Sequence, residues 1–157
     1  MMRRILAIVR MLVGALLITL SIQKFGNAGF FEPDNLAREL SQNGMAFPFY
    51  QDILDRFILP NAPVFALLVA AGELVVGVSF LLGAFTNMFS VVGTFMVLNI
   101  TLAVCYGNVG GLIGHLVFLV VVGLLGVYST GNTWGLDASL ARRLSTRLVY
   151  FPYRTQR

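Results

Sequence analysis

The sequence of 157 residues predicts an all-α integral membrane protein: a four-helix transmembrane bundle with a long outer loop and a C-terminal amphipathic helix. Three observations predict it. Hydrophobic residues make up 57% of the chain and charged residues 11%, against roughly a quarter charged in soluble domains. From Phe57 to Leu136 the only formal charge is Glu73. Four segments, about 5–22, 63–83, 86–106 and 110–128, are apolar over the roughly 20 residues that a helix needs to cross a hydrocarbon core of about 30 Å. This composition excludes a water-soluble enzyme. It also excludes intrinsic disorder, which needs low hydrophobicity and high charge.

The first segment follows Arg3 and Arg4, as in a signal peptide, but it runs to Ile22 without a small-x-small cleavage site and is expected to be retained as the first span. The loop over 24–62 carries Lys24, Arg38 and Arg56 against Glu32, Asp34, Glu39, Asp52 and Asp55, whereas both chain ends are rich in arginine. The basic-residue bias therefore predicts both termini in the cytoplasm of a bacterial or archaeal plasma membrane, with the loop outside. Within the loop, Asp34 to Asn43, closed by Gly44, and Pro48 to Leu59, closed by Pro60, have helix start and stop signals. Phe49, Ile53, Leu54 and Phe57 give the second piece an apolar stripe that suits the interface or a lid on the bundle. The turns after Gly83 and Tyr106 are so short that the spans they join must be antiparallel neighbours.

After the fourth span, Ser129, Thr130, Gly131 and Asn132 break the helix, and Asp137 is placed to cap a new one. Leu140, Leu144 and Leu148 recur every four residues, with Arg142, Arg143 and Arg147 off that stripe. This predicts a basic tail over 137–157, beside a bundle over 1–136, whose arginines dock on the membrane surface or a partner, flanked by Trp134, Tyr150 and Tyr153 as interfacial aromatics. The net charge of +4 is concentrated in that tail and does not indicate nucleic acid.

Glu73 lies near the middle of its span, where a carboxylate must face protein and find a partner. Ala66, Ala70, Glu73 and Gly77 share one face, suited to close packing, so Glu73 reads either as functional or as a buried group that orients the bundle. On the first span Arg10, Gly14, Ser21 and Lys24 share a stripe. Arg10 is expected to snorkel to the headgroups, and Lys24 reads as a ligand-binding cation or an interface anchor. Asn99 and His115 fall in the outer half with Lys24. His115 suits proton handling together with Glu73, or a hydrogen bond to a carbonyl ligand such as a quinone headgroup, Asn99 suits ligand binding beside Lys24, and a helix-to-helix hydrogen bond explains His115 or Asn99 as well. Because His115 is the only histidine and Cys105 the only cysteine, no metal site, bis-histidine haem or iron–sulfur centre is expected from this chain's motifs. Cys105 reads as a small packing residue, and Gly107 to Gly114 as a tight turn entering a helix.

A span ending in Lys24, a polar outer segment, Ala70, Ala71, Gly72 and Glu73 leading to Phe80 through Thr86, and a glycine-containing turn before the last span form a pattern that resembles the DoxX family. That family of small four-helix membrane proteins includes relatives of the small subunit of thiosulfate:quinone oxidoreductase. The resemblance covers roughly 5–136, and its sharpest element is Gly72 and Glu73 followed by Leu81, Leu82 and Gly83. It implies an inner-membrane protein tied to redox or sulfur metabolism, a quinone as cofactor, other protein subunits as partners, and Lys24 and Glu73 as matching positions. Two readings follow: a subunit of a quinone-linked redox complex, or a non-catalytic accessory subunit docked in a larger assembly. A solute carrier fits less well, because neither broken helices nor inverted repeats are visible.

Overall fold

The computed structural model describes residues 2–43 and 45–152. Four helices are long and apolar enough to cross a membrane. They are α1 (Met2–Gly26), α4 (Ala62–Leu82, the end of a longer helical run), α5 (Thr86–Val104) and α6 (Val109–Val127). The 24–62 loop contributes α2 (Pro33–Asn43) and α3 (Pro48–Ile53), and the C-terminal segment contributes α7 (Asp137–Arg143) and α8 (Thr146–Val149). No strand forms among the described residues beyond one isolated bridge between Met45 and Tyr106. The expected stop at Gly44, Tyr153, Arg154 and Arg157 lie outside the described residues.

The α1–α4 and α5–α6 pairs are the main packing units, and α4 against α5 joins them. Leu12, Leu67, Leu68, Phe95, Ile113 and Val117 point outward and exposed, the surface a lipid bilayer covers in a multi-pass membrane protein. At the centre Val13, Leu17, Val76, Phe80, Val122 and Leu125 interlock as one buried cluster.

Between α1 and α4 the two stripes read from the sequence meet face to face. Gly14 and Gly77 bring the backbones together: a Cβ on Gly14 would stand 2.6 Å from the Leu81 amide nitrogen and 2.8 Å from the Gly77 carbonyl oxygen. Further along the seam, the Ser21 hydroxyl donates to the Ala70 carbonyl at 2.8 Å. Small residues permit this approach, and where hydrocarbon surrounds the helices, contact and hydrogen bonding replace the hydrophobic drive.

The 24–62 loop differs from expectation at Pro60. Rather than stopping there, the chain winds from α3 through a π turn (Leu54–Ile58) and a 3-10 turn (Leu59–Asn61) directly into α4. The widened turn accommodates the carbonyl that the proline cannot serve, and the fixed proline φ suits the first turn of the next helix. Tyr50 and Leu54 are buried with Ala46 and Ala103 in a second small core, so this segment roofs one side of the bundle.

At the opposite end, where α1 begins, Arg10 is fully buried and does not snorkel. Its guanidinium donates to the Thr130 carbonyl at 3.2 Å and the Trp134 carbonyl at 3.1 Å, holding the segment after α6 against α1. The reason lies in its position on the packed stripe with Gly14 and Ser21, which gives it protein carbonyls rather than headgroups as partners. Gly83, at φ +65°, makes room for it: a Cβ there would collide with the Arg10 guanidinium and stand 2.7 Å from Gly135 Cα.

Asp137 also serves a different helix from the one expected. Its carboxylate accepts from the backbone N–H of Phe85 at 2.6 Å and of Thr86 at 3.2 Å, so it caps α5 while standing at the start of α7. The C-terminal helix forms in two pieces, because Leu144 is extended (φ −110°, ψ 175°). The break lets Val149 bury completely and lets the Tyr150 carbonyl accept from Asn87 Nδ2 at 3.2 Å, which a straight helix from Asp137 would carry past the bundle. Leu144 and Leu148 are consequently exposed.

Candidate functional site

The loop-side half of the bundle holds a cavity of about 820 Å³ between α1, α4, α5 and α6. Its wall is mainly apolar, and Lys24, Glu73 and His115 enter it from three different helices. Val76 and Val122 close it toward the central core. Glu73 stands one turn from Val76, and His115 two turns from Val122, so helical periodicity carries both polar side chains to the face that packs inward.

Lys24 Nζ pairs with Glu73 Oε1. The pair joins the loop-side end of α1 to the middle of α4. Its two members differ in access to water, because the lysine side chain is 23% exposed and the glutamate 8%. Glu73 Oε2 is buried and accepts no hydrogen bond from the protein. A buried acceptor without a partner costs about 1–3 kcal/mol, so this oxygen is the unmet demand of the site.

His115 sits in the second turn of α6, and its Nδ1 is 2.9 Å from the Gly111 carbonyl oxygen four residues earlier. A carbonyl only accepts, so Nδ1 carries the proton and Nε2 is the free acceptor of the neutral ring. Cys105 Sγ lies 3.5 Å from the same Nδ1. Burial pushes the Cys105 thiol up from its ordinary range, which supports a packing role. We expect a maleimide at pH 7 to label Cys105 at least tenfold more slowly in the folded protein than after denaturation in dodecyl sulfate; equal rates would refute burial of the thiol.

Asn99 is not in this cavity. It lines a neighbouring one of about 450 Å³ under the 24–62 loop, which shares Lys24, Met96, Ile100 and Val104 with the first. The Tyr50 hydroxyl donates to Asn99 Oδ1 at 2.9 Å, and Asn99 Nδ2 donates to the Phe95 carbonyl at 2.8 Å. Both ends of the amide are therefore engaged in tying α3 to α5. Arg142, Arg143 and Arg147 are exposed on α7 and α8 at the terminal end, away from either cavity. Among the described residues no cluster of histidine, cysteine and carboxylate side chains could hold a metal ion.

The structure thus brings together Lys24, Glu73 and His115 and leaves Asn99 and the tail arginines apart. Sequence reading missed Tyr50 as the partner of Asn99, and it missed that Arg10 organises the terminal end. The signal for Arg10 was present in its stripe: a residue in register with Gly14 and Ser21 belongs to the packed face.

A family model described as DoxX matches residues 5–105, and the chain belongs to that family. Neither the curated proteins nor the solved structures give a match.

Proposed function

We propose that this DoxX-family membrane protein is a subunit of a quinone-linked redox assembly of the sulfur-metabolism type, with both termini in the cytoplasm of a prokaryotic plasma membrane. The observation that carries the reading is the partnerless, buried carboxylate oxygen of Glu73 in a residue that lines an apolar cavity of about 820 Å³. That volume lies within the roughly 300–1,000 Å³ of small-molecule sites, which combine apolar walls with a few convergent polar groups. The residues fit a quinone headgroup: an apolar slot for the ring, the Lys24 ammonium as donor to a carbonyl oxygen, and Glu73 and His115 as acceptors for the hydroxyl protons of the reduced form.

A bound quinone supplies two-electron, two-proton chemistry, with electrons delivered by a redox centre on a partner subunit. This chain's part is to position and to move protons. Lys24 holds the Glu73 carboxylate in place from α1. The Gly111 carbonyl fixes the His115 tautomer so that Nε2 is the nitrogen that accepts or returns a proton. Val76 and Val122 close the slot from below, and the roof over α3 shields its neighbour from the outer face.

The test is gentle solubilisation of the native assembly, mass spectrometry of its bound small molecules, and turnover with a soluble quinone. A stoichiometric quinone is expected. Glu73→Gln keeps the side-chain shape and is expected to lower substrate-dependent quinone reduction at least a hundredfold with the assembly intact. Undiminished turnover would overturn the reading.

The closed Lys24–Glu73 pair favours a second reading, an accessory subunit without catalytic groups, held in its complex by the exposed Arg142, Arg143 and Arg147. In that case Glu73→Gln lowers the yield of assembled complex rather than turnover, and removal of 137–157 releases the chain.

A further inference from the structure

The larger cavity is open on one side of the bundle. α1 packs along α4 and α6 along α5, whereas α1 and α6 barely touch each other. They approach through the central cluster, where Val13 and Leu17 stand with Val122 and Leu125, and on the loop side of that cluster the cavity lies between them. Leu16 and Leu20 on α1 and Gly114 on α6 line the cavity and are exposed, so its wall runs out to the surface of the bundle between these two helices. A Cβ on Gly114 would meet no atom within 4 Å. Gly111, Gly114, His115, Phe118 and Val122 follow the helical period along one face of α6, which puts Gly114 on the rim of the face that carries His115. At about 1.5 Å per residue, Gly114 stands about 8 Å inside the loop-side end of α6 and Leu16 about 15 Å inside that of α1. The opening therefore faces the hydrocarbon of the bilayer.

We infer that the quinone of this site carries an apolar tail, enters sideways from the bilayer between α1 and α6, and stays with its tail lying across Gly114 in that opening. The inference rests on the quinone reading above and adds the class of quinone and its path. Inside the cavity Glu73 Oε2 is buried and unpartnered, whereas the opening is flanked by Leu16, Leu20 and Phe118. A molecule with a polar head and an apolar tail matches that order. The second cavity offers a competing exit, between exposed Leu68 and Phe95. Met96 stands in that way: it lines both cavities, and a Cβ on Gly72 would lie 2.8 Å from its methyl group and from its sulfur, so the side chain is packed against α4 beside Glu73. Lys24, tied to Glu73, also lines both. The opening at Gly114 belongs to the larger cavity itself and requires neither of them to move. Because lipid is as apolar as the leucines at the opening, the tail gains little affinity there; the opening supplies a path, and the glycine keeps it clear.

The experiment uses the full chain in lipid nanodiscs and a fully substituted benzoquinone whose decyl tail carries a diazirine. After irradiation, label counts only where an excess of the untagged decyl quinone suppresses it, which sets aside lipid-facing surface met at random. Suppressible label is expected at Leu16 and Leu20 on α1 and at Gly114 and Phe118 on α6. Suppressible label confined to Leu68 and Phe95, or spread equally over both openings, would overturn the inference and leave the quinone reading standing. No suppressible label anywhere would overturn both. Gly114→Leu adds a side chain where the protein leaves open space and favours the helix. It is expected to weaken binding of the decyl quinone about tenfold or more and of its methyl analogue less than about twofold, because the clash falls on the tail alone. An equal change for the two analogues would overturn the inference. Since the labelling uses the unaltered protein, its outcome does not depend on whether the variant folds.

Discussion

Arg10→Met is expected to destabilise the protein by about 3–5 kcal/mol, the usual result of removing one member of a buried charged network. The guanidinium is fully buried and donates to the Thr130 and Trp134 carbonyls, both in the segment that follows α6. Methionine fills much of the volume and can serve neither carbonyl. It also removes the cation that opposes the burial of Asp137. Burial pushes the Asp137 carboxyl up from its ordinary range, while hydrogen bonds from Thr86 and Phe85 and the Arg10 guanidinium pull it back. Without Arg10 that carboxyl rises further.

A carboxyl raised in the folded state binds its proton more tightly there than in the unfolded chain, so stability falls as pH rises through the interval between the two values. The deficit of Arg10→Met should therefore be larger at pH 8 than at pH 5. Thermal unfolding of both proteins in one detergent at the two pH values reads this directly. A loss below 1 kcal/mol, or one larger at pH 5, would show that Arg10 does not hold the terminal end in this way.

The second large effect is expected at the Lys24–Glu73 pair, and it is asymmetric. Lys24→Met leaves Glu73 alone near the middle of α4, almost without solvent access, and should cost about 3 kcal/mol. Glu73→Leu leaves Lys24 near the end of α1, with part of its side chain exposed, where the ammonium can reach water; about 1 kcal/mol or less is expected. The double variant, with no charge left behind, should resemble Glu73→Leu and so recover most of the lysine loss. Equal costs for the two single variants, with additive behaviour in the double, would mean that the pair is not coupled. The same series informs the function: stability restored in the double variant without quinone binding separates the role of Glu73 in the cavity from its role in packing.

Packing at the α1–α4 seam explains why the pair is available for both roles. Gly14 against Gly77 and Ser21 against Ala70 bring the helices close, and Lys24 and Glu73 continue that register to the loop side. The contact between small residues positions the ion pair, and the ion pair in turn fixes one wall of the cavity.

Local period and composition are enough to place the helices and their faces. Hydropathy located the four long apolar helices to within a few residues, because a helix in hydrocarbon must satisfy its own backbone whatever its neighbours do. The spacing of 3.6 residues placed Arg10, Gly14, Ser21 and Lys24 on one face and Ala66, Ala70, Glu73 and Gly77 on another, and isolated charges in an apolar run marked Glu73 and Lys24. The partner each polar group takes follows instead from how the helices and loops pack. Arg10 reaches across 120 residues to Thr130, Asp137 turns from its own helix to cap α5 across 52, and Tyr50 meets Asn99 across 49. The physical reason is that a helix fixes the direction of a side chain, whereas its partner is set by helix packing and by loops whose path no local period encodes. Two terminal segments that both carry arginines therefore part ways: the N-terminal one is sealed by Arg10 into the bundle, and the C-terminal one breaks at Leu144 so that Val149 can be buried.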